Sequence, residues 1–255
     1  MFRNLRRGAA ADGPPATGFT CFFLHHAGGS SAAFTHFADL FPAHWRLLAA
    51  DLPGRGVSAG RPLCRSTDEV VDALLPAFLE QARGPFAVFG HSMGGLVGYE
   101  LVRALEHHRR PPAWLGVSAM VAPRQVTSRF AGRRDLWSQD RLISFVKDLG
   151  GTPAEMLDDP DILEYLVEIL REDLAVVDTY VFREGPPLDT PLSVFHGLAD
   201  LTTKDQTIAD WRPYAAGPSD IHAYPGGHFY LFDQPEEVAG RITTDIGRAL
   251  ARGAR

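Results

Sequence analysis

Residues 86–105 read FAVFGHSMGGLVGYELVRAL, and the fold follows from how this stretch divides. Phe86, Ala87, Val88 and Phe89 form an unbroken apolar run, the pattern of a strand buried on both faces. Val97, Leu101, Ala104 and Leu105 recur at i, i+4, i+7 and i+8, the stripe of an amphipathic helix. Between them lies Gly90-His91-Ser92-Met93-Gly94, a G-x-S-x-G sequence. A strand entering such a sequence and a helix leaving it is the context of a nucleophile elbow, where a serine hydroxyl stands on a sharp turn. Gly90 and Gly94 would remove side chains that collide as strand and helix close over the turn. The N–H of Met93 then faces charge developing on an oxygen bonded to Ser92.

Outward from the elbow, apolar runs and helical stripes alternate. Residues 19–24 (FTCFFL) are strand-like and run into His25-His26-Ala27-Gly28-Gly29. That loop suits either a tight strand-to-helix turn or the second half of an oxyanion hole, with the N–H of Ala27 opposite that of Met93. The elbow favours the second reading. His25 and His26 are expected to orient the loop. Phe34, Phe37, Ala38 and Phe41 mark a helix, residues 45–50 a strand, and Ser66-x-x-Glu69 a capping box before Val71, Leu74, Leu75 and Phe78. Pro76 predicts a kink or a late start there. Residues 114–121 (WLGVSAMV) form another buried strand. The alternation predicts a mostly parallel sheet with helices on both faces and its site at the carboxyl ends of the strands.

From about 123 to 190 strands give way to two helical stripes, one stopped at Gly150-Gly151 and one starting at Asp159-Pro160. A helical insertion at the active-site edge is a lid candidate. The sheet resumes with residues 192–196 (LSVFH), and Asp200 follows directly. Asp205 and Asp210 lie farther on and are the rival carboxylates. After a short strand at 221–224, His228 sits in a glycine-rich loop. Ser92, Asp200 and His228 thus occur in the chain order of the α/β-hydrolase triad: nucleophile, orienting acid, base.

At 255 residues the chain is long enough for one α/β domain, expected over 19–255 with the lid at about 123–190, after a flexible tail at 1–18. With 25 Lys and Arg against 31 Asp and Glu, the net charge of −6 disfavours nucleic acid as a bulk partner. No apolar stretch approaches the ~20 residues of a membrane span, and the first residues lack the apolar core of a secretory signal. Cys21 and Cys64 show no metal spacing and suit free thiols in a cytoplasmic protein. A monomer that needs no metal or redox cofactor is expected.

GHSMGG (90–95), HHAGG (25–29), DLPGRG (51–56), HGLADLTT (196–203) and GGHFYL (226–231) together resemble the type II thioesterases. These are the discrete editing hydrolases of polyketide synthases and nonribosomal peptide synthetases. The resemblance covers nearly everything after residue 18. It departs at Leu24-His25, where the family more often has a proline beside the histidine. It implies a substrate: acyl groups held as thioesters on the phosphopantetheine arm of an acyl or peptidyl carrier protein. Carrier proteins are typically acidic, so Arg124, Arg129, Arg133 and Arg134 are either a docking patch or a solvated loop. A carboxylesterase or lipase, an acyltransferase or cyclase, and a non-enzymatic binding module are the competing readings on the same fold.

Overall fold

The computed structural model describes residues 1–6, 18–129, 132–150, 159–203 and 208–253. Seven strands form one sheet in the order β1-β3-β2-β4-β5-β6-β7. They are β1 (Phe2–Asn4), β2 (Thr20–Leu24), β3 (Arg46–Ala50), β4 (Phe86–His91), β5 (Trp114–Ser118), β6 (Leu192–Gly197) and β7 (Asp220–Tyr224). All neighbours pair in parallel except β1, which runs antiparallel to β3 at the edge. Strands β2 to β6 are apolar on both sides because helices cover both faces. Phe22, Leu24 and Val88 face one core, shared with α1 (Thr67–Gln81) and α2 (Met93–His107). Phe23, Phe89 and Phe195 face the other, shared with the 3-10 helix Ser31–Phe37 and with α6 (Pro235–Gly253).

The register sets where the site falls. Leu24 pairs with Gly90, His91 with Ser118, Ser118 with Phe195 and Gly197 with Tyr224. The loops carrying Ala27, Ser92, Asp200 and His228 therefore all leave the same edge of the sheet. The helices α3 (Pro123–Arg129), α4 (Gln139–Leu149) and α5 (Pro160–Asp178) separate β5 from β6, as the change of pattern at 123–190 predicts.

Three elements differ from expectation. The first residues belong to the sheet: Phe2 pairs with Ala50 and Asn4 with Leu48, so the expected flexible tail does not begin at residue 1. Phe2 packs edge-on against Phe22 and Phe78 at 5.1 and 4.9 Å, and buried Leu5 joins the opposite core. Arg6 fixes the turn by donating to the carbonyls of Ala38, Phe41, Pro42, Ala43 and Trp45. Residues 7–17, the rest of that expected tail, lie outside the described residues. The segment at Phe34 and Phe37 is a 3-10 turn, capped at Ser30. Finally, α1 starts at its Ser66 cap and runs through Pro76, held by the burial of Val70, Val71, Leu74 and Phe78. Among the described residues no helix is long and apolar enough to cross a membrane.

Candidate active site

Ser92 is the residue between β4 and α2, with φ 55° and ψ −123°. That left-handed conformation is strained for a residue with a Cβ and is held by its surroundings. The Ser92 N–H donates to the Ser118 carbonyl at 2.7 Å, and the Ser92 carbonyl accepts from Gly95 at 2.8 Å. A Cβ on Gly90 would lie 1.9 Å from the Gly94 carbonyl oxygen; one on Gly94 would lie 2.2 Å from that of Leu24. The two glycines let the first turn of α2 sit directly on the end of β2. This brings Met93 and Ala27 to the same cleft as Ser92.

The Ser92 hydroxyl lies 2.9 Å from Nε2 of His228, and Nδ1 of His228 lies 2.9 Å from Oδ2 of Asp200. Asp200 is 4% exposed and His228 6%. Oδ1 of Asp200 accepts from the N–H and hydroxyl of Thr202 at 2.8 and 2.7 Å, and Oδ2 accepts from the Thr203 hydroxyl at 3.0 Å. Burial raises the Asp200 pKa, but the hydrogen bond and charge of His228, with the Thr202 contacts, more than offset it and hold the carboxyl below its ordinary value. The acid therefore stays ionised and fixes the tautomer with the proton on Nδ1, leaving Nε2 to accept from Ser92. Asp210, one rival, is exposed and bonded to Gln125; Asp205 lies outside the described residues. His222 is paired with Asp245 at 2.7 Å and is not part of this cleft.

Two further histidines support the elbow from beneath. His91 is fully buried; its Nδ1 contacts the Ser118 hydroxyl, which also contacts the Tyr230 hydroxyl. His25 is fully buried and bonds the His26 carbonyl through Nδ1 at 2.8 Å. Desolvation and the charge of Arg55 push His25 down to about 3, and desolvation pushes His91 well below its ordinary value, so both are neutral. His26 lines the cleft with Ala27 and Gly28.

The cleft holds about 760 Å³ of open space, mouth included. Beyond Ser92 it is walled by apolar side chains from the insertion, chiefly Phe145, Val146, Leu149, Leu166, Leu170 and Leu174. A separate small core of Leu142, Val167, Leu170 and Leu174 binds α4 to α5. Three arginines at the start of the insertion are paired with carboxylates. Arg124 pairs with Glu184, Arg133 with Asp135 at 2.7 Å, and Arg134 donates through Nε to Asp178 at 2.9 Å. The Arg129 side chain lies outside the described residues.

One charged pair beside the site is not legible as such from the motifs. Asp173 of α5 and Arg55 of the DLPGRG loop are 2% and 3% exposed and form a two-pronged ion pair at 2.6 and 2.7 Å. The available signal is positional. Asp173 falls seven residues after Leu166, three after Leu170 and four before Val177, inside the apolar stripe of α5.

A mostly parallel sheet with a serine on the strand-to-helix turn, and an Asp and a His on later loops of the same edge, defines an α/β-hydrolase. The sequence matches the thioesterase domain family over residues 19–246, and the chain belongs to that family: it is a hydrolase acting on thioesters. It is 33% identical to thioesterase PikA5 of Streptomyces venezuelae over 237 residues, 91% of this chain and 81% of that protein. It is 28% identical to the gramicidin S biosynthesis protein GrsT of Aneurinibacillus migulanus, over 90% of each chain. Among solved structures it resembles the type II thioesterase BorB from the borrelidin biosynthetic cluster. The TM-score is 0.85 at 28% identity, covering 96% of this chain and 97% of that one.

Proposed function

We propose that this enzyme hydrolyses acyl thioesters carried on the phosphopantetheine arm of acyl or peptidyl carrier proteins, through an acyl-enzyme on Ser92. The carrying observation is the chain of 2.9 Å contacts from Ser92 to His228 to Asp200 at the mouth of an apolar cleft. The carrier substrate is supported by relatives named for borrelidin and gramicidin S biosynthesis.

Nε2 of His228 takes the Ser92 proton as Oγ attacks the thioester carbonyl. Asp200 keeps the ring in the productive tautomer and stabilises its cation. The N–H groups of Met93 and Ala27 receive the oxyanion, each worth roughly 3 kcal/mol of barrier. The cationic His228 returns its proton to the departing thiol. It then takes a proton from the water that attacks the acyl-enzyme and gives that proton to Ser92 Oγ as the acyl–oxygen bond breaks, so the acid leaves and the serine is restored. The acyl chain lies along the apolar wall supplied by α4 and α5, which act as the lid. Every proton movement is carried by the chain's own groups, and neither a metal nor a redox cofactor enters. The arginines at 124, 133 and 134 are each paired with a carboxylate, which offsets part of the positive charge they would offer an acidic carrier. The reading is of a cytoplasmic monomer.

The test presents one acyl group on a carrier protein, on a small thiol and on p-nitrophenol. A higher kcat/KM from the carrier supports the proposal. Equal rates would mean a broad small-molecule thioesterase, and a preference for the oxygen ester would mean an esterase. Ser92→Ala should stay folded and lose roughly 10⁴-fold or more of its kcat; near wild-type turnover would remove Ser92 from the mechanism.

A further inference from the structure

We infer that Asp173 is a positioning residue that makes the oxyanion loop depend on the seating of the lid helix; this rests on the proposed role of Ala27. Asp173 sits on α5, inside the insertion between β5 and β6. Its Oδ2 accepts from the backbone N–H of Gly28 at 2.7 Å, and Gly28 directly follows Ala27. Both Asp173 oxygens also receive the Arg55 guanidinium, and Nη1 of Arg55 reaches on to the Gly29 carbonyl at 3.2 Å. Gly28 has φ +77°, and the Gly29 N–H closes a turn on the His26 carbonyl at 3.0 Å. The peptide groups on either side of this turn are thus held by one carboxylate and one guanidinium. Leu170 and Leu166 of the same helix face Gly28: a Cβ added there would lie 3.5 and 3.6 Å from them.

The DLPGRG loop is shaped to deliver that guanidinium. Asp51 accepts from the N–H groups of Ser31 and Val57 at 2.8 and 3.0 Å, tying the oxyanion loop's exit to the Arg55 loop. A Cβ on Gly56 would lie 2.1 Å from Asp51, so the loop closes only with glycine there. Three segments far apart in the chain, the oxyanion loop, the Arg55 loop and α5, therefore meet at one buried charge pair. If α5 lifts, Gly28 loses its acceptor and Arg55 loses both carboxylate contacts. Hydrolytic competence is confined to the seated lid, which keeps Ser92 from acylation while the cleft is open to water.

Removing one charge alone would leave the other buried and unpaired, so paired substitutions are the informative ones. Arg55→Met with Asp173→Leu removes the charges and the acceptor for Gly28. Arg55→Gln with Asp173→Asn removes the charges but keeps a side-chain carbonyl for that N–H. The apolar pair should lose about 10- to 100-fold in kcat/KM, mostly in kcat, and bind an alkyl boronic acid more weakly by a similar factor, because a displaced donor weakens transition-state contacts selectively. Binding of the product carboxylic acid should change by less than about threefold, and the polar pair should recover most of the loss. A folded apolar pair with wild-type kcat and boronate affinity, or a loss confined to KM, would overturn the inference. A measurement on the unaltered protein needs no variant: the Gly28 amide should exchange with deuterium as slowly as the amides of α5 around Asp173. Fast exchange at Gly28 beside a protected α5 would also overturn it. Boronate binding that survives Ser92→Ala would instead count against the serine mechanism and leave the clamp standing.

Discussion

At the scale of single residues, the site depends on which carboxylate faces His228. Asp200 meets Nδ1 at 2.9 Å and is itself held by Thr202 and Thr203, whereas Asp210 is exposed and bonded to Gln125. Asp200→Asn preserves the shape but places an amide where an acceptor is needed, so the ring turns to the unproductive tautomer. We expect roughly a 10³- to 10⁴-fold fall in kcat for Asp200→Asn, and less than about threefold for Asp210→Asn. Steady-state hydrolysis of an acyl thioester by both variants checks this, and a larger loss at Asp210 would reassign the acid. Chain order and loop chemistry single out Ser92, Asp200 and His228, the three side chains that the structure brings within hydrogen-bond distance, Ser92 of His228 and His228 of Asp200, because the spacing of an elbow and two glycine- or turn-rich loops is local. Asp173 was not recoverable in the same way. Its partners Gly28 and Arg55 are 145 and 118 residues away, and an acidic residue within a helix ordinarily faces water.

At the scale of elements, the strands were readable because a parallel sheet covered on both faces demands continuous apolar runs, as in β2 and β4. The edge strand β1 was not. A three-residue strand with one aromatic carries no period, and its stability comes from Phe22 and Phe78, which lie far off in sequence. The elbow shows the opposite case, in which glycine itself reports a contact. Gly94→Ala would drive a methyl group into the Leu24 and His25 carbonyls, which belong to backbone that cannot yield without moving the oxyanion loop. This substitution should destabilise the fold by several kcal/mol, on the order of 2–4, and abolish most activity. Gly240, inside α6 with nothing near its missing Cβ, should behave in the reverse sense. Gly240→Ala is expected to raise stability by about 0.5–1 kcal/mol with activity unchanged. Thermal melts of the two variants give the comparison, and a stable, active Gly94→Ala enzyme would contradict the close approach described for α2 and β2.

At the scale of the whole molecule, the neutral histidines beneath the elbow set how the fold responds to acid. His25 and His91 are both wholly buried, with folded-state values of about 3 and well below 6.5 respectively. In the unfolded chain each would titrate near 6.5. Below that pH the unfolded state binds protons that the folded state refuses, so stability falls as pH falls. The contribution is fully present above the unfolded value and is lost progressively from about pH 6.5 toward His25's folded value of about 3. Each such group costs about 1.4 kcal/mol per pH unit once well inside that window. Together the pair should remove roughly 4 kcal/mol between pH 7 and pH 5, a large part of the 5–15 kcal/mol that holds a typical domain. Asp200 and Asp245 add a later stage. Their folded carboxyls lie below the ordinary 3.8, so their contribution is present above that value and disappears as pH falls through the folded one. Urea unfolding at pH 7, 6 and 5 should therefore show stability declining, with His25 and His91 together contributing a limiting uptake of about two protons on unfolding. In His25→Gln the uptake should fall by about one proton, whatever the variant's absolute stability. Stability that is flat or rising as pH drops from 7 to 5 would mean that these imidazoles are not held neutral, and that the buried support beneath Ser92 is wetter than the structure places it.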